Sequence, residues 1–265
     1  MKIITWNVNG IRAAERKGEL QSLVANEAPD LLLLQEIKAE RDQLSDFLAR
    51  NGAYRQLYHS AQKKGYAGSG IWLSCNFAKK LRDVQFSTEI PKAPNADEGR
   101  LSQLSFTRGR TRYEVLSIYF PNGGKSDEAW QEKLRFYDHT LDYMNSMRDL
   151  GRFVIVGGDV NVAHNEVDIA RPRENDGKVG FHPKERAWMD RLVADGWSDV
   201  WRQRNPDAVD VYSWWTMRAG ARQRNIGWRI DYFFMDRKHL HRVAGVNYLT
   251  DHPGSDHCPM RLQLR

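Results

Sequence analysis

Residues 101–119, LSQLSFTRGRTRYEVLSIY, decide the fold class, because they predict two consecutive β-strands, 101–107 and 112–119, with no helix between them. Three more strands are predicted upstream, also without intervening helices, over residues 53–59, 69–75 and 81–88. Runs of consecutive strands, in a chain with fewer helices than strands, favour two packed β-sheets with helices outside them.

The segments on either side predict buried strands and amphipathic helices. Further strands are expected over residues 2–8, 30–35, 153–156, 229–235, 242–248 and 258–264. Helices are expected over residues 12–27, 40–51 and 183–195, and another begins after Ser126, where apolar residues recur at three- and four-residue steps. No repeat, low-complexity tract or linker interrupts these elements, so residues 1–265 are predicted to form one domain.

The composition limits the class of protein. Of 265 residues, 41% are hydrophobic, the mean hydropathy is −0.68, and no apolar run reaches the length of a membrane span. The chain enters a strand directly, without a secretory or transit leader, so we expect a cytoplasmic protein with no membrane partner. Cys75 and Cys258 are too few for a disulfide scaffold or a zinc framework.

The formal net charge of +6 points to a polyanionic partner, and the distribution of charge is more informative than its sum. The stretch from Trp201 to Arg229 holds six arginines and four tryptophans but only two aspartates. Arginine interleaved with aromatic residues suits phosphate contact together with stacking against bases. The alternative is a tryptophan-rich edge of the core with arginine stems packed over it, and composition does not separate the two.

Polar side chains stand where several predicted strands end. The first strand ends in Trp6-Asn7-Val8-Asn9-Gly10, and four leucines lead into Gln35 and Glu36. A carboxylate at the end of a buried strand is costly unless it is hydrogen-bonded, paired or bound to a metal, so Glu36 is favoured as a metal ligand. An Asn-Gly pair is also typical of a plain turn.

Two more clusters combine glycines with polar residues. Tyr119 and Asn122 bracket a strand exit and are candidate donors to a phosphate. Two glycines precede Asp159 and Asn161, and glycines permit close approach of the backbone to a ligand. Aspartate can handle a proton while asparagine donates to an oxyanion, although each cluster is also compatible with a simple turn.

The last two clusters are Gly227-Trp228-Arg229-Ile230-Asp231 and Gly254-Ser255-Asp256-His257. An aspartate beside a histidine offers a cation ligand and a proton carrier, and Asp231 is suited to hold the Nδ1 proton of His257. The clusters are rich in oxygen and free of sulfur, which suits Mg²⁺ or Mn²⁺ rather than zinc. With a basic chain, this set indicates metal-assisted hydrolysis of a phosphoester.

The order of the motifs WNVNG, LQEIK, YFPN, GDVNVA, GWRIDYFF and GSDHCP resembles that of the exonuclease III family of apurinic/apyrimidinic (AP) endonucleases over residues 2–264. GD-N and SDH also occur across the wider superfamily of DNase I-like phosphohydrolases. The resemblance implies an α/β fold, a four-layer sandwich in which helices flank two packed, mainly antiparallel or mixed β-sheets. It also implies Mg²⁺ as cofactor, with Mn²⁺ as a substitute.

The resemblance further implies roles by motif position. Asn7 and Glu36 match metal ligands, with Asp256 contributing nearby. Asp159 matches the residue that activates the attacking water or handles the proton of the leaving group, and both roles stay open. Asn161 matches the donor that orients the water or stabilises the developing charge, and Tyr119 and Asn122 match phosphate binders. His257 matches the imidazole that holds the phosphate, with Asp231 orienting its ring.

By the same resemblance, Trp214, Trp228 and Ile230 wall a pocket for a flipped-out, baseless deoxyribose. A sugar without a base costs least to extrude and fits a small apolar slot, whereas a nucleotide with its base would clash. Outside the pocket, we expect three basic residues to contact DNA phosphates or grooves: Lys125, Arg218 and Arg222.

The implied activity is that of an AP endonuclease of base-excision repair, which hydrolyses the phosphodiester 5′ to an abasic site and leaves a 3′-hydroxyl. The same site would serve 3′→5′ exonuclease and 3′-phosphodiesterase activity, and the partner of the expected monomer is double-stranded DNA with abasic sites or blocked 3′ ends. Alternatives are an enzyme acting on inositol phosphates, sphingomyelin or RNA tails, a non-catalytic DNA-binding protein, and a relative that nicks at uridine or damaged bases.

Overall fold

The computed structural model describes residues 1–265 and contains two six-stranded β-sheets with helices on their outer surfaces. The strands are β1 Lys2–Asn7, β2 Leu31–Gln35, β3 Tyr54–His59, β4 Ser69–Ser74, β5 Arg82–Ser87, β6 Leu101–Arg108, β7 Thr111–Tyr119, β8 Phe153–Asp159, β9 Trp197–Asp199, β10 Asp231–Asp236, β11 Val243–Tyr248 and β12 Met260–Leu264. The α-helices are α1 Ile11–Arg16, α2 Glu19–Glu27, α3 Asp46–Arg50, α4 Cys75–Ala78, α5 Asp127–Asp149, α6 Pro172–Asn175, α7 Pro183–Ala194 and α8 Val200–Arg204.

One sheet has the strand order β11-β12-β1-β2-β4-β3 and the other has the order β5-β6-β7-β8-β10-β9. Both sheets are mixed, because β1 pairs in parallel with β2 and β7 in parallel with β8, while the remaining neighbours are antiparallel. Parallel neighbours have their carboxyl ends at the same edge of a sheet. The ends of β1, β2, β7 and β8 therefore carry their following residues to one end of the molecule.

Three apolar clusters separate the layers and confirm the predicted four-layer sandwich. A cluster of 26 buried residues fills the space between the two sheets and includes Leu33, Ile155 and Phe233. A cluster of 14 joins β1 and β2 to helices α1 and α2, and a cluster of 20 joins the second sheet to helices α5 and α7. Burial of each such large apolar side chain contributes about 1.5–3 kcal/mol, so these contacts fix the strand ends on which the site is built.

The helix predicted over residues 12–27 is in fact two helices, α1 and α2. Gly18 lies between them with φ +75°, a left-handed conformation that glycine adopts without steric cost. The helix predicted over residues 40–51 is reduced to a 3₁₀ turn followed by α3, which Ser45 caps.

The longest helix, α5, confirms the predicted start after Ser126. The hydroxyl of Ser126 accepts a hydrogen bond from the backbone N–H of Ala129 at 3.2 Å, and the helix runs for 23 residues. None of the helices combines the length and the apolar character needed to cross a membrane.

Candidate active site

The polar residues at the strand ends come together around one cavity of about 370 Å³. Asn7 pairs with Gln35 across the parallel strands β1 and β2, and Asp159 pairs with both Tyr119 and Asp231 in the second sheet. The predicted site residues that line the cavity are Glu36, Tyr119, Asn122, Asp159, Asn161, Trp214, Trp228, Ile230, Asp256 and His257.

Asn7 is fully buried and joins the two sheets at this end. Its amide nitrogen donates to Glu36 Oε1 at 2.8 Å and to Asp159 Oδ2 at 2.9 Å. Its amide oxygen accepts the backbone N–H of Asn9 at 3.0 Å, which fixes the orientation of the amide. Asn7 thus spaces two carboxylates. The expected role of Asn7 as a metal ligand stays a prediction, because its side-chain oxygen keeps a second lone pair beside the bond from the backbone N–H of Asn9.

Glu36 leaves β2 in a left-handed conformation with φ +51°, which is uncommon for a residue other than glycine and is found where function requires it. Lys38 Nζ lies 2.6 Å from Glu36 Oε2 and also donates to Asn9 Oδ1. Burial alone would raise the pKa of Glu36, but the charge of Lys38 and the hydrogen bond from Asn7 outweigh it, and the pKa is lowered. Glu36 is therefore ionised at neutral pH.

Asp159 and Asn161 form a tight turn after β8. Asp159 Oδ1 accepts the backbone N–H of Asn161 at 2.8 Å, and Asn161 has φ +56°. The Asn161 amide nitrogen donates to the carbonyl of Phe120 at 2.9 Å, while its oxygen accepts from Asn122 at 3.1 Å. These bonds tie the loop after β7 to the loop after β8, so the phosphate-binding candidate Asn122 is held beside Asp159.

His257 points its Nε2 atom toward Asp159. Its Nδ1 atom lies 2.8 Å from Asp231 Oδ2, and Nε2 lies 3.8 Å from Asp159 Oδ2. Burial would lower the pKa of His257, but the carboxylates of Asp231 and Asp159 more than offset that effect and raise it. The imidazole is thus a protonated ring that presents an N–H donor to the cavity.

The site holds an excess of negative charge that suits a hard cation. Burial raises the pKa of Asp159, and the neighbouring carboxylates Asp231 and Glu36 raise it further, against the opposing charge of His257. Glu36, Asp159 and His257 each bring one possible ligand atom within 4.8 Å of the others. Because a protonated imidazole is a poor ligand, the carboxylate oxygens of Glu36 and Asp159 are the donors that fit Mg²⁺ or Mn²⁺.

Asp256 also lines the cavity, where it connects the site to the pocket wall. Its Oδ1 accepts from Asn9 at 2.9 Å and its Oδ2 accepts from the indole nitrogen of Trp214 at 3.0 Å. Burial would raise the pKa of Asp256, but the charge of His257 and these hydrogen bonds lower it. Asp256 is therefore a carboxylate at the cavity edge that also orients Trp214.

The apolar wall of the cavity is built from Trp214, Trp228 and Ile230. The two indole rings meet edge to face, with centroids 5.9 Å apart. Gly180 packs against this wall, and a Cβ there would lie 2.6 Å from Trp228 Cζ3. Only glycine leaves Trp228 in place, because contacts of that length are excluded by van der Waals repulsion.

A buried ion-pair network supports this wall from behind. Arg229, between Trp228 and Ile230, is fully buried, and its guanidinium lies 2.8 Å from Asp168 Oδ1 and 2.7 Å from Asp199 Oδ2. Burial would raise the pKa of Asp168, but Arg229 and Arg202 lower it to about 2. The strand segment that carries the pocket wall is thus held by charge pairing.

This shift predicts how stability depends on pH. A carboxyl whose pKa is depressed in the folded state stabilises that state above its unfolded pKa, and the contribution is lost as pH falls toward the folded value. For Asp168 the lowering from 3.8 to about 2 corresponds to roughly 2–3 kcal/mol. Denaturant unfolding between pH 7 and pH 2 should show the wild-type advantage over Asp168→Asn shrinking below pH 4. An advantage that stays constant would contradict this account.

The predicted DNA contacts fall into two groups. Lys125 and Arg218 are exposed. Arg222 instead donates to the carbonyls of Ser255 at 3.0 Å and of Thr250 and His252 at 2.7 Å each. Its guanidinium thus holds the loop before Asp256. Three of the five guanidinium donors are thus directed at backbone carbonyls, which favours a bracing role, and the expected phosphate contact of Arg222 stays a prediction.

A matched pair of variants tests that distinction. Arg218→Ala should reduce the slope of log K against log salt for DNA binding by about one unit, as loss of a phosphate contact does. Arg222→Ala should leave this slope unchanged and lower the melting temperature. Filter binding or fluorescence anisotropy across a salt series measures both slopes. If Arg222→Ala reduced the slope as much as Arg218→Ala, Arg222 would be a phosphate contact after all.

Some residues of the site escape sequence reasoning. Lys38 stands within the motif LQEIK, but the sequence predicts no role for it. In the structure its charge lowers the pKa of Glu36. Val179 and Gly180 come from a segment with no periodic pattern, and only the fold shows that they line the cavity.

The fold and the site together define a class: a phosphoester hydrolase with an acidic site at one end of two facing sheets. Residues 4–257 match the Endonuclease/Exonuclease/phosphatase family, and the chain belongs to that family. It is 35% identical over 262 residues to the exodeoxyribonuclease of Bacillus subtilis (strain 168), covering 99% of this chain and 98% of that relative.

Two further relatives carry DNA-repair names. The chain is 32% identical over 272 residues to the DNA repair nuclease APEX1 of Danio rerio, covering 100% of this chain and 82% of that protein. The crystal structure of the AP endonuclease LMAP from Leishmania major superposes with a TM-score of 0.90 at 26% identity, covering 100% of this chain and 87% of that one. The protein is thus a phosphodiester hydrolase of the exonuclease III type, a nuclease of DNA repair.

Proposed function

We propose that this nuclease is a Mg²⁺-dependent AP endonuclease of base-excision repair, which hydrolyses the phosphodiester 5′ to an abasic site and leaves a 3′-hydroxyl. The observation that carries the proposal is the apolar wall of Trp214, Trp228 and Ile230, which lines the same cavity as Asp159 and His257. A baseless deoxyribose placed against that wall would have its 5′ phosphate beside the polar groups. Selection of the lesion then follows from the low cost of extruding a sugar without a base.

The metal site of this proposal consists of Glu36 and the neighbouring Asp159, with Asp256 at the cavity edge. When bound, Mg²⁺ supplies Lewis-acid stabilisation of the charge that develops on the phosphate oxygens. Asn7 keeps the Glu36 and Asp159 carboxylates at a fixed separation, because its amide nitrogen donates to both. Their charges are thus preorganised before any ligand arrives, which is the condition for effective electrostatic catalysis.

The phosphate is held by neutral and cationic donors. The protonated His257 presents Nε2–H, and Asp231 keeps its ring oriented. Burial, together with the charges of Glu36 and Asp159, raises the pKa of Tyr119 well above its ordinary value. Tyr119 therefore remains a phenol that donates a hydrogen bond, and Asn122 offers a second donor at the same edge of the cavity.

Asp159 handles the proton in this mechanism. Its Oδ2 atom lines the cavity beside Asn7 and His257, where it can accept a proton from the attacking water. The backbone N–H of Asn161 holds Asp159 Oδ1 in place, and the side chain of Asn161 bridges to Phe120 and Asn122. The roles of Asp159 and Asn161 thus depend on one turn of the chain.

The substrate is double-stranded DNA with an abasic site or a blocked 3′ end, bound by a one-domain monomer in the cytoplasm. The exposed side chains of Lys125 and Arg218 provide contacts to phosphates beyond the pocket, and the net charge of +6 favours encounter with DNA. A second activity, 3′→5′ exonuclease, is supported by the exodeoxyribonuclease name of the 35% identical relative. The same site serves both reactions, since each hydrolyses a phosphodiester to release a 3′-hydroxyl.

A single experiment tests the proposal. A labelled duplex containing one tetrahydrofuran abasic analogue, which cannot undergo β-elimination, is incubated with the protein in Mg²⁺, in Mn²⁺ and in EDTA. An undamaged duplex with a recessed 3′ end is the companion substrate. We expect a nick 5′ to the analogue in either metal and none in EDTA, with shortening of the second duplex reporting exonuclease activity. Cleavage of the recessed duplex without any nick at the analogue would make the protein an exonuclease only.

A further inference from the structure

A buried lysine lies directly beneath the loops that carry the site. Lys133, on α5, is fully buried, and its ammonium group donates to the carbonyl of Asn122 at 3.0 Å and to that of Asn161 at 2.9 Å. These two residues hydrogen-bond to each other through their side chains at 3.1 Å. The ammonium group therefore bonds to the backbone of both residues that connect the loop after β7 to the loop after β8.

The lysine is paired with an equally buried carboxylate. Glu185, on α7, forms an ion pair with Lys133, and neither side chain is exposed. Glu185 Oε2 also accepts the backbone N–H groups of Gly180 at 2.7 Å and of His182 at 3.0 Å. Gly180 is the residue that packs against Trp228 of the pocket wall. The ion pair thus connects a third loop, which carries part of the pocket, to the other two.

The packing around the lysine stem is close as well. A Cβ placed on Gly123, which has φ +79°, would lie 2.8 Å from Lys133 Cδ. The loop after Asn122 therefore rests on the side chain of Lys133 itself. One turn later on α5, the hydroxyl of Tyr137 donates to the carbonyl of Val160 at 2.8 Å. Two side chains on one face of α5, Tyr137 and Lys133, therefore donate to the consecutive carbonyls of Val160 and Asn161, just after Asp159.

We propose that Lys133 and Glu185 are positioning residues for phosphodiester hydrolysis, which set the relative placement of Asn122, Asn161 and the Gly180 segment. A buried ion pair is not needed for stability, since well-packed apolar groups are often as stable. Here Lys133 donates to carbonyls of two loops around the cavity, and Glu185 accepts backbone N–H groups of a third. The roles of Asn122 and Asn161 in this inference rest on the proposed function. The position of the active site rests only on the nuclease class of the protein.

The test is the double variant Lys133→Met/Glu185→Gln. It removes the donors to the Asn122 and Asn161 carbonyls, leaves no unpaired buried charge, and retains an oxygen for the Gly180 and His182 N–H groups. We expect kcat to fall by about 100-fold, the cost of misplacing reacting groups by about 1 Å. KM and DNA affinity in EDTA should change less than about threefold, because the exposed basic side chains outside the cavity, Lys125 and Arg218, are untouched.

The matched control is Glu114→Gln/Arg152→Met. It removes another ion pair with a fully buried glutamate, near the end of β7 that lies away from Tyr119. We expect this control to lower the melting temperature and to leave kcat unchanged when both enzymes are assayed well below their melting temperatures. An equal loss of kcat in the control, or none in the Lys133 variant, would overturn the inference. A second variant, Gly123→Ala, crowds the buried stem of Lys133 from the loop side without removing the ion pair and should lower kcat similarly.

Hydrogen exchange of the metal-free protein separates this inference from the proposed function. Amides of residues 122–124 and 160–163 should exchange faster in the Lys133→Met/Glu185→Gln variant than in the wild type or the control. Unchanged exchange would contradict the positioning role even if abasic DNA is not the substrate. Turnover on the recessed-3′ duplex should fall in parallel with turnover on the abasic duplex, because both depend on one set of loops.

Discussion

Asp159→Asn is expected to lower kcat by about 10³-fold or more, because general acid–base catalysis alone contributes ~10²–10⁴-fold and the amide is also a weaker metal ligand. Asparagine preserves the shape of the side chain and keeps one acceptor oxygen, which can serve either the Asn7 amide or the Asn161 backbone N–H. DNA affinity should therefore change less than about threefold, since an interaction made in the transition state affects kcat rather than ground-state binding. Single-turnover kinetics on an abasic duplex, with anisotropy for binding, measure both quantities.

The control for this variant is Asp149→Asn, at the exposed end of α5, where the carboxylate has 75% of its surface exposed. It makes the same chemical change without touching the cavity and should be indistinguishable from the wild type. Near-normal turnover of Asp159→Asn would remove Asp159 from the reaction. Parallel loss of binding and turnover would mean that Asp159 serves the substrate complex instead.

Glu36→Gln should produce the second large loss, and its signature is a change in metal dependence. A neutral amide in place of an ionised carboxylate weakens the hold on a hard cation, so the Mg²⁺ concentration for half-maximal activity should rise by more than about tenfold. Saturating Mg²⁺ should restore part of the lost rate. A Mg²⁺ titration of the nicking rate measures both effects.

Glu27→Gln is the matched control, because Glu27 has a side-chain exposure of 16%, close to the 15% of Glu36, and pairs with Lys2 and Arg261 at the opposite end of β1. Its Mg²⁺ requirement should equal that of the wild type. A Glu36→Gln variant with an unchanged Mg²⁺ requirement would show that the cation is held elsewhere, with Asp159 and Asp256 as the remaining carboxylates of the cavity.

Strand-end reasoning predicts much of the fold and the cavity, because side chains that follow parallel strands necessarily meet at one edge. Glu36 and Asp159 stand at the ends of such strands, His257 stands just before the antiparallel strand β12, and the structure brings the three together. The helix break at Gly18 was missed, because the apolar spacing continues across residues 12–27 while the left-handed glycine interrupts the backbone.

The orientation of side chains was less predictable than their location. Arg222 lies in a basic, tryptophan-rich stretch, and only the fold shows that its donors are directed at three carbonyls. Asn7 has the position expected of a ligand, and only the structure shows that its amide oxygen also accepts the backbone N–H of Asn9. Lys133 carries no sequence signal at all, since a lysine on a polar-rich helix is ordinarily exposed.

The most direct test of the central claim is the fate of water oxygen in the cut strand. The abasic-analogue duplex is cleaved in H₂¹⁸O with Mg²⁺, and the masses of both fragments are measured by mass spectrometry. We predict an upstream fragment ending in an unlabelled 3′-hydroxyl and a downstream fragment whose 5′ phosphate carries one ¹⁸O atom, because water attacks the phosphorus 5′ to the lesion. A nick on the 3′ side of the analogue, or a phosphate left on the upstream fragment, would contradict the proposed geometry of pocket and site.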